Sequence, residues 1–203
     1  MTSQGRPKRA LPKLKRADTM NRCRWVNVEN PLYVNYHDEE WGRPLHDDCK
    51  LYEMLLLECF QAGLSWECIL NKREHFRKAF SDFDPAAVAA YGEADVRRLM
   101  ADKGIIRNRA KIMAGIANSR VFLDIQQEWG SFDRYLWLFT KDAVVVEPYT
   151  ERTTSPLSDA VSADLKRRGM KFVGSVTIYS YLQAVGVING HGPECSLYEG
   201  ELG

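Results

Sequence analysis

The chain has 203 residues, 45% of them apolar and 27% charged, and a formal charge of +1. That is enough apolar chain for one globular domain or a pair of subdomains sharing a core, and it excludes disordered and fibrous classes. The longest apolar runs, residues 54–57 and 143–146, fall far short of the roughly 18 to 20 residues of a membrane helix, and residues 1–20 lack the apolar centre of a signal peptide.

These absences lead to the expectation of a cytoplasmic protein with no membrane partner, whose five cysteines are thiols or metal ligands and not disulfides. The near-zero charge hides an uneven distribution. Residues 1–20 carry Arg6, Lys8, Arg9, Lys13, Lys15 and Arg16 against Asp18 alone, a net of +5, which leaves residues 21–203 at about −4. Within that acidic body, residues 97–111 hold six basic side chains against Asp102, a local +5. A basic stripe on an acidic protein is either a solvated helix face or a phosphate-binding surface.

Residues 1–20 have low apolar content and no periodicity, so they read as a flexible basic tail, with 21–203 as the folded domain. Asp47 and Asp48 can cap a helix over 51–62, which Gly63 ends. Ser65 caps a second helix, expected to run unbroken over 66–80. Asp84-Pro85 opens a short helix, residues 93–103 form another closed by Gly104, and a long one runs from about Asn108 to Gly130. Ser131 and Ser158 start two more. Residues 173–185 are apolar and β-branched enough to leave helix or strand open, and only 143–147 read as extended. The expected fold class is all-α, with short capped turns.

Helix 51–62 is apolar nearly all round, and Glu58 falls on its buried stripe with Leu51, Met54, Leu55 and Ala62. A carboxylate there needs a basic partner, takes up a proton, or lines a cavity. Trp25, Tyr33, Tyr36 and Trp41 lie in a stretch that reads as loop and short helix, and Trp66 follows the Gly63 turn. Trp25 and Trp41 read as packing anchors; Tyr33, Tyr36 and Trp66 serve equally as core or as a stacking platform for a flat cation. His191 and Cys195 have a spacing common in zinc sites, and with Cys23 and His37 they would make a closed tetrahedral set, although the separation of Cys23 from His37 is no standard finger arm. Cys49, Cys59 and Cys68 read as small buried hydrophobes. Between Gly104 and the helix that follows, Ile105 and Ile106 make a tight turn. The new helix N-terminus, ringed by Arg107, Arg109 and Lys111, is a ready anion site.

The segments RCRW (22–25), NPLYVNYHDEEWG (30–42), LLLECFQAGLSW (55–66), KGIIRNRAKI (103–112), KRRGMKFVG (166–174) and YLQAVGVINGHGPEC (181–195) together resemble the 3-methyladenine DNA glycosylase I family of the helix-hairpin-helix glycosylases. The likeness spans residues 21–203. It implies a helix-hairpin-helix bundle of two helical subdomains about a cleft, whose N- and C-terminal segments are tied by one structural zinc ion on Cys23, His37, His191 and Cys195. It places the damaged-base pocket on Glu58 as catalytic residue with Tyr33, Tyr36, Trp66 and Gln61 binding the base, and the DNA-gripping hairpin on Gly104, Ile105, Arg107, Arg109 and Lys111. The implied activity is hydrolytic release of 3-methyladenine from double-stranded alkylated DNA by a monomer, after the nucleotide is flipped out. Asn108 stands where lyase members carry a lysine, which implies no strand cleavage. Asp124 is a secondary candidate for stabilising the sugar cation. Two alternatives stay open: a zinc-stapled DNA-binding protein without catalysis, and a glycosylase for another alkylated base.

Overall fold

The computed structural model describes residues 20–147 and 152–198, so the basic tail lies outside the described residues apart from Met20. The chain is mainly helical, as the capping signals predict. Helix α1 (Pro31–Glu39) starts on Asn30, whose side chain accepts from Leu32 N–H, with Pro31 in the first turn, where a missing N–H costs nothing. Helix α2 (Asp48–Gln61) begins on the Asp47 cap, and every residue from Leu51 to Phe60 is buried. A helix buried all round has to be enclosed by others: α2 packs against α7 (Arg109–Trp129), α8 (Phe132–Leu138) and α10 (Ser175–Ala184) and runs into α3 (Trp66–Leu70).

The segment expected as one helix over 66–80 is two, α3 (Trp66–Leu70) and α4 (Arg73–Ala79). Asn71 ends α3, and its side chain accepts from the Asn30 amide, which also donates to Glu67. This cross-tie fixes α3 to α1, and the turn at Asn71 and Lys72 redirects the chain so that Phe76 and Phe80 enter the core. Helix α5 (Pro85–Ala89) has the predicted Asp84 cap, and α6 (Glu93–Ala101) leads into the hairpin at 102–108. Helix α7 (Arg109–Trp129) ends at Gly130, whose left-handed φ of 86° is the ordinary glycine stop. Asp48 at the head of α2 accepts from the Phe132 and Asp133 N–H groups, which fastens α8 (Phe132–Leu138) to it.

The extended segment at 143–147 narrows to β1 (Val145–Val146), which pairs in parallel with β2 (Ile188–Asn189). Helix α9 (Pro156–Arg167) starts earlier than expected: Ser155, not Ser158, is the cap, and the two serines bond each other's backbone N–H reciprocally. The undecided segment 173–185 is helical, α10 (Ser175–Ala184). The two ends of the domain meet where Ser196 N–H donates to Asn21 O and Asn21 N–H donates to Ser196 Oγ. Among the described residues no helix is long and apolar enough to cross a membrane.

Candidate active site and metal centre

Glu58 and Glu53 are both buried on α2, and their surroundings differ sharply. Glu53 accepts from Arg73 Nε and Arg77 Nη2, each at 2.7 Å. Glu58 is 3% exposed, and among the described residues nothing hydrogen-bonds its Oε2. Burial alone, with no neighbouring charge contributing, pushes its carboxyl up to about 8. One helix thus carries a carboxylate held by two arginines and, five residues later, one left without a counter-charge.

Glu58 lines a cleft of about 310 Å³ together with Tyr33, Tyr36, Gln61 and Trp66, so every pocket residue expected from the sequence is in one place. The Tyr36 and Trp66 rings lie 5.2 Å apart at 45°, and the Trp66 indole N–H is buried without a partner among the described residues. Burial raises the Tyr33 phenol to about 12 and the Tyr36 phenol well above its usual range, so both stay neutral hydroxyls. Trp25 and Trp41, read as anchors, also line the cleft.

The sequence reading missed the opposite wall. Val176, Tyr179, Ser180 and Gln183 of α10 face the cleft, joined by Arg152 and Thr153. The four α10 residues follow the three-and-four spacing of one helix face, a signal hidden while that segment was undecided between helix and strand. Asp124 is exposed on α7 and does not line the cleft.

Directly behind Trp25 and Trp41 lies a cluster of Cys23, His37, His191 and Cys195, all buried, with ligand atoms within 4.8 Å of one another. Cys23 Sγ is 3.5 Å from His191 Nδ1, and Cys195 Sγ is 3.4 Å from the same atom and 3.5 Å from His37 Nε2. Asp38, itself gripped by Arg22, lies 2.8 Å from the other ring nitrogen of His37 and so orients it as a ligand. Burial lowers His191 to about 4, which keeps its imidazole neutral and its lone pair available. The four side chains can hold a metal ion. The other cysteines divide: Cys59 is buried as expected, but Cys49 is exposed and Cys68 only partly covered, because both sit in the first turns of helices, where one side faces out.

The hairpin departs most from expectation. Lys111 is 7% exposed and donates to the backbone carbonyls of Phe60 and Ala62 at 2.7 and 2.6 Å, so its ammonium is engaged inside the protein. Asn108 caps α7 by accepting from Lys111 N–H, which occupies part of the expected anion site. Ile105 is buried, Arg109 is paired with Glu93 at 3.0 Å, and Arg107 is exposed. Gly104 is needed for close packing, since a Cβ there would come within 2.6 Å of His75.

An aromatic cleft with an uncompensated carboxylate on its wall defines a protein that encloses a flat, electron-poor ring. Residues 25–198 match the methyladenine glycosylase family. The chain is 47% identical over 185 residues to the DNA-3-methyladenine glycosylase 1 of Escherichia coli (strain K12), covering 89% of this chain and 98% of that protein. The crystal structure of a 3-methyladenine DNA glycosylase I (TAG) superposes with a TM-score of 0.84 at 44% identity, covering 88% of this chain and 100% of that one. The Staphylococcus aureus TAG, solved for the structural basis of 3-methyladenine recognition, gives 0.80 at 38% identity, covering 83% and 92%. The chain belongs to the methyladenine glycosylase family, which sets aside the non-catalytic alternative.

Proposed function

We propose that this protein excises 3-methyladenine from alkylated DNA, hydrolysing the bond between the base and C1′ of its deoxyribose and leaving an abasic site. The observation that carries the reading is Glu58: buried, unpaired, and set among aromatic rings in a cleft sized for one small flat ligand. Methylation at N3 makes adenine cationic in the duplex and lets it depart neutral, so the leaving group is already activated. A carboxylate with no counter-charge prefers that cation to neutral adenine, and it gives up its proton when the cation arrives. Tyr33, Tyr36 and Trp66 stack on the flipped base, with Gln61 beside them, while Glu58 accepts from its polar edge. Water adds at C1′ as the bonding pair leaves with the base, which departs neutral, and the proton lost by that water passes to solvent. Asn108, a helix cap and not an amine, supplies no nucleophile for strand cleavage.

Further parts of the reading are a monomer on double-stranded DNA, two helical subdomains flanking the cleft, and a helix-hairpin-helix element at 102–111 that meets phosphate through Gly104, Ile105, Arg107 and Arg109. Zinc is the metal the cluster fits. Two thiolates and two imidazoles are the donor set of a closed zinc site; three of the four sulfur–nitrogen separations are 3.4 to 3.5 Å and all four ligand atoms lie within 4.8 Å of one another. With four protein ligands its contribution is structural, a clip between the two ends of the domain.

The test is release from methylated duplex DNA with the products identified. Free 3-methyladenine is expected; preferential release of 7-methylguanine, or no release, overturns the proposal.

A further inference from the structure

Lys111 lies in the first turn of α7, directly after the hairpin, yet its side chain runs inward. Its ammonium donates to Phe60 O and Ala62 O. These carbonyls belong to the C-terminal end of α2, where a helix leaves acceptors without intrahelical partners and presents its negative dipole end. Ala62 leaves the helix in a non-helical conformation, φ −43° and ψ 115°, and the Leu64 N–H turns back to Gln61 O. The ammonium therefore closes the helix end. The same turn carries Glu58 and Gln61, and the chain reaches Trp66 four residues after Ala62.

A second lysine runs the other way. Lys72, between α3 and α4, donates to the hairpin carbonyls of Lys103 and Gly104 at 3.4 and 3.2 Å. Gly104 also lies close enough to His75 to exclude any side chain. The hairpin and the helix turn that follows it are thus fastened to two of the segments that bear pocket residues, the end of α2 and the piece that begins at Trp66.

We propose that Lys111 is a positioning residue for base capture: it holds the end of α2, with Glu58 and Gln61, and the turn to Trp66 in register with the DNA-facing hairpin. A base then enters the pocket at a fixed distance from the phosphate held next to it. The inference rests on the excision reading, and wild-type binding of free 3-methyladenine tests that reading separately.

The experiment compares wild type with Lys111→Met and Lys111→Gln, the second keeping N–H donors without charge. Affinity for free 3-methyladenine is read by tryptophan quenching, affinity for undamaged duplex across a salt series, and excision as kcat and KM; melting temperature and metal content report the fold. Lys111→Met is expected to weaken base binding about tenfold and to lower kcat on methylated duplex by up to about 10²-fold. Lys111→Gln should fall between it and wild type, and the salt dependence on undamaged duplex should be unchanged. A salt slope reduced by about 1 with base affinity intact would make Lys111 a phosphate contact and overturn the inference. Unchanged base affinity and kcat in a less stable protein would also overturn it, leaving a purely structural role. Should Lys111→Met not fold, the same outcomes are read from Lys111→Gln.

Discussion

The rings of Trp41 and His191 meet edge to face with centroids 4.7 Å apart, and Trp41 is at the same time a wall of the base cleft. The Cys/His cluster and the pocket therefore meet across one side chain. Trp25 repeats the arrangement against His37, 5.3 Å away. Whatever lets His191 or His37 move also moves a pocket wall.

Removing the metal should therefore weaken base binding as well as the fold. Cys195→Ala, or prolonged chelation, is expected to lower the metal content from about one zinc per chain, to lower the melting temperature, and to weaken affinity for free 3-methyladenine several-fold. Elemental analysis beside a fluorescence titration checks this. A metal-free chain of unchanged stability would refute the clip, and unchanged base affinity in a destabilised chain would uncouple it from the pocket.

Trp66 should dominate stacking, since its ring lies against Tyr36 and its N–H has no partner among the described residues. Trp66→Ala is expected to cost about 1–3 kcal/mol of base affinity, roughly five- to 160-fold. Most of the tryptophan quenching by free 3-methyladenine should vanish with it. Wild-type quenching in the variant would move the stacking platform elsewhere in the cleft.

How legible these features were in the sequence depended on the range of the contacts behind them. Glu58 could be read because an all-apolar helix leaves its one stripe carboxylate conspicuous; that it lacks a partner while Glu53 has two could not, because Arg73 and Arg77 come from another helix. Spacing alone did not assemble Cys23, His37, His191 and Cys195, since the two ends of the chain meet only through tertiary bonds such as those between Asn21 and Ser196; the family resemblance supplied the set. In the sequence Lys111 reads as one of the basic residues around a phosphate site, and only the open carbonyls at the end of α2, about fifty residues earlier, draw it inward. Intrinsic propensity left α10 undecided, and packing on α2 and α9 resolved it as helix.

Arg107 and Arg109 should contribute unequally to duplex binding. Arg109 is partly neutralised by Glu93, with both side chains about half exposed, whereas among the described residues Arg107 forms no ion pair. Arg107→Ala should reduce the slope of log K against log salt by about 0.9, and Arg109→Ala by less. Glu93→Gln should strengthen binding to undamaged duplex at low salt by releasing Arg109. Equal effects of the two arginine substitutions, or no gain from Glu93→Gln, would count against the ion pair restraining the hairpin.

Glu58 should trade stability for recognition in a way that pH reveals. Its carboxyl is moved by burial from the ordinary 4.5 to about 8, so between those values the folded state keeps a proton that the unfolded chain releases. The raised value makes folding stability fall as pH rises through that window, and the loss levels off above about 8. At 1.36 kcal/mol per pH unit the full penalty is roughly 5 kcal/mol. Glu58→Gln keeps the shape and removes the titration, so it should match wild type near pH 4 and exceed it in melting temperature at pH 8. Its excision rate should fall on the order of 10²- to 10³-fold, the cost typical of losing one electrostatic contact in a site. In wild type, kcat/KM, which reports the free enzyme, should climb toward pH 8 as the carboxylate forms, and the variant should lack that limb. Denaturant melts across pH, paired with release kinetics, test both halves. A variant no more stable than wild type at pH 8 would mean that Glu58 has a partner in solution, and wild-type excision rates would remove it from the site.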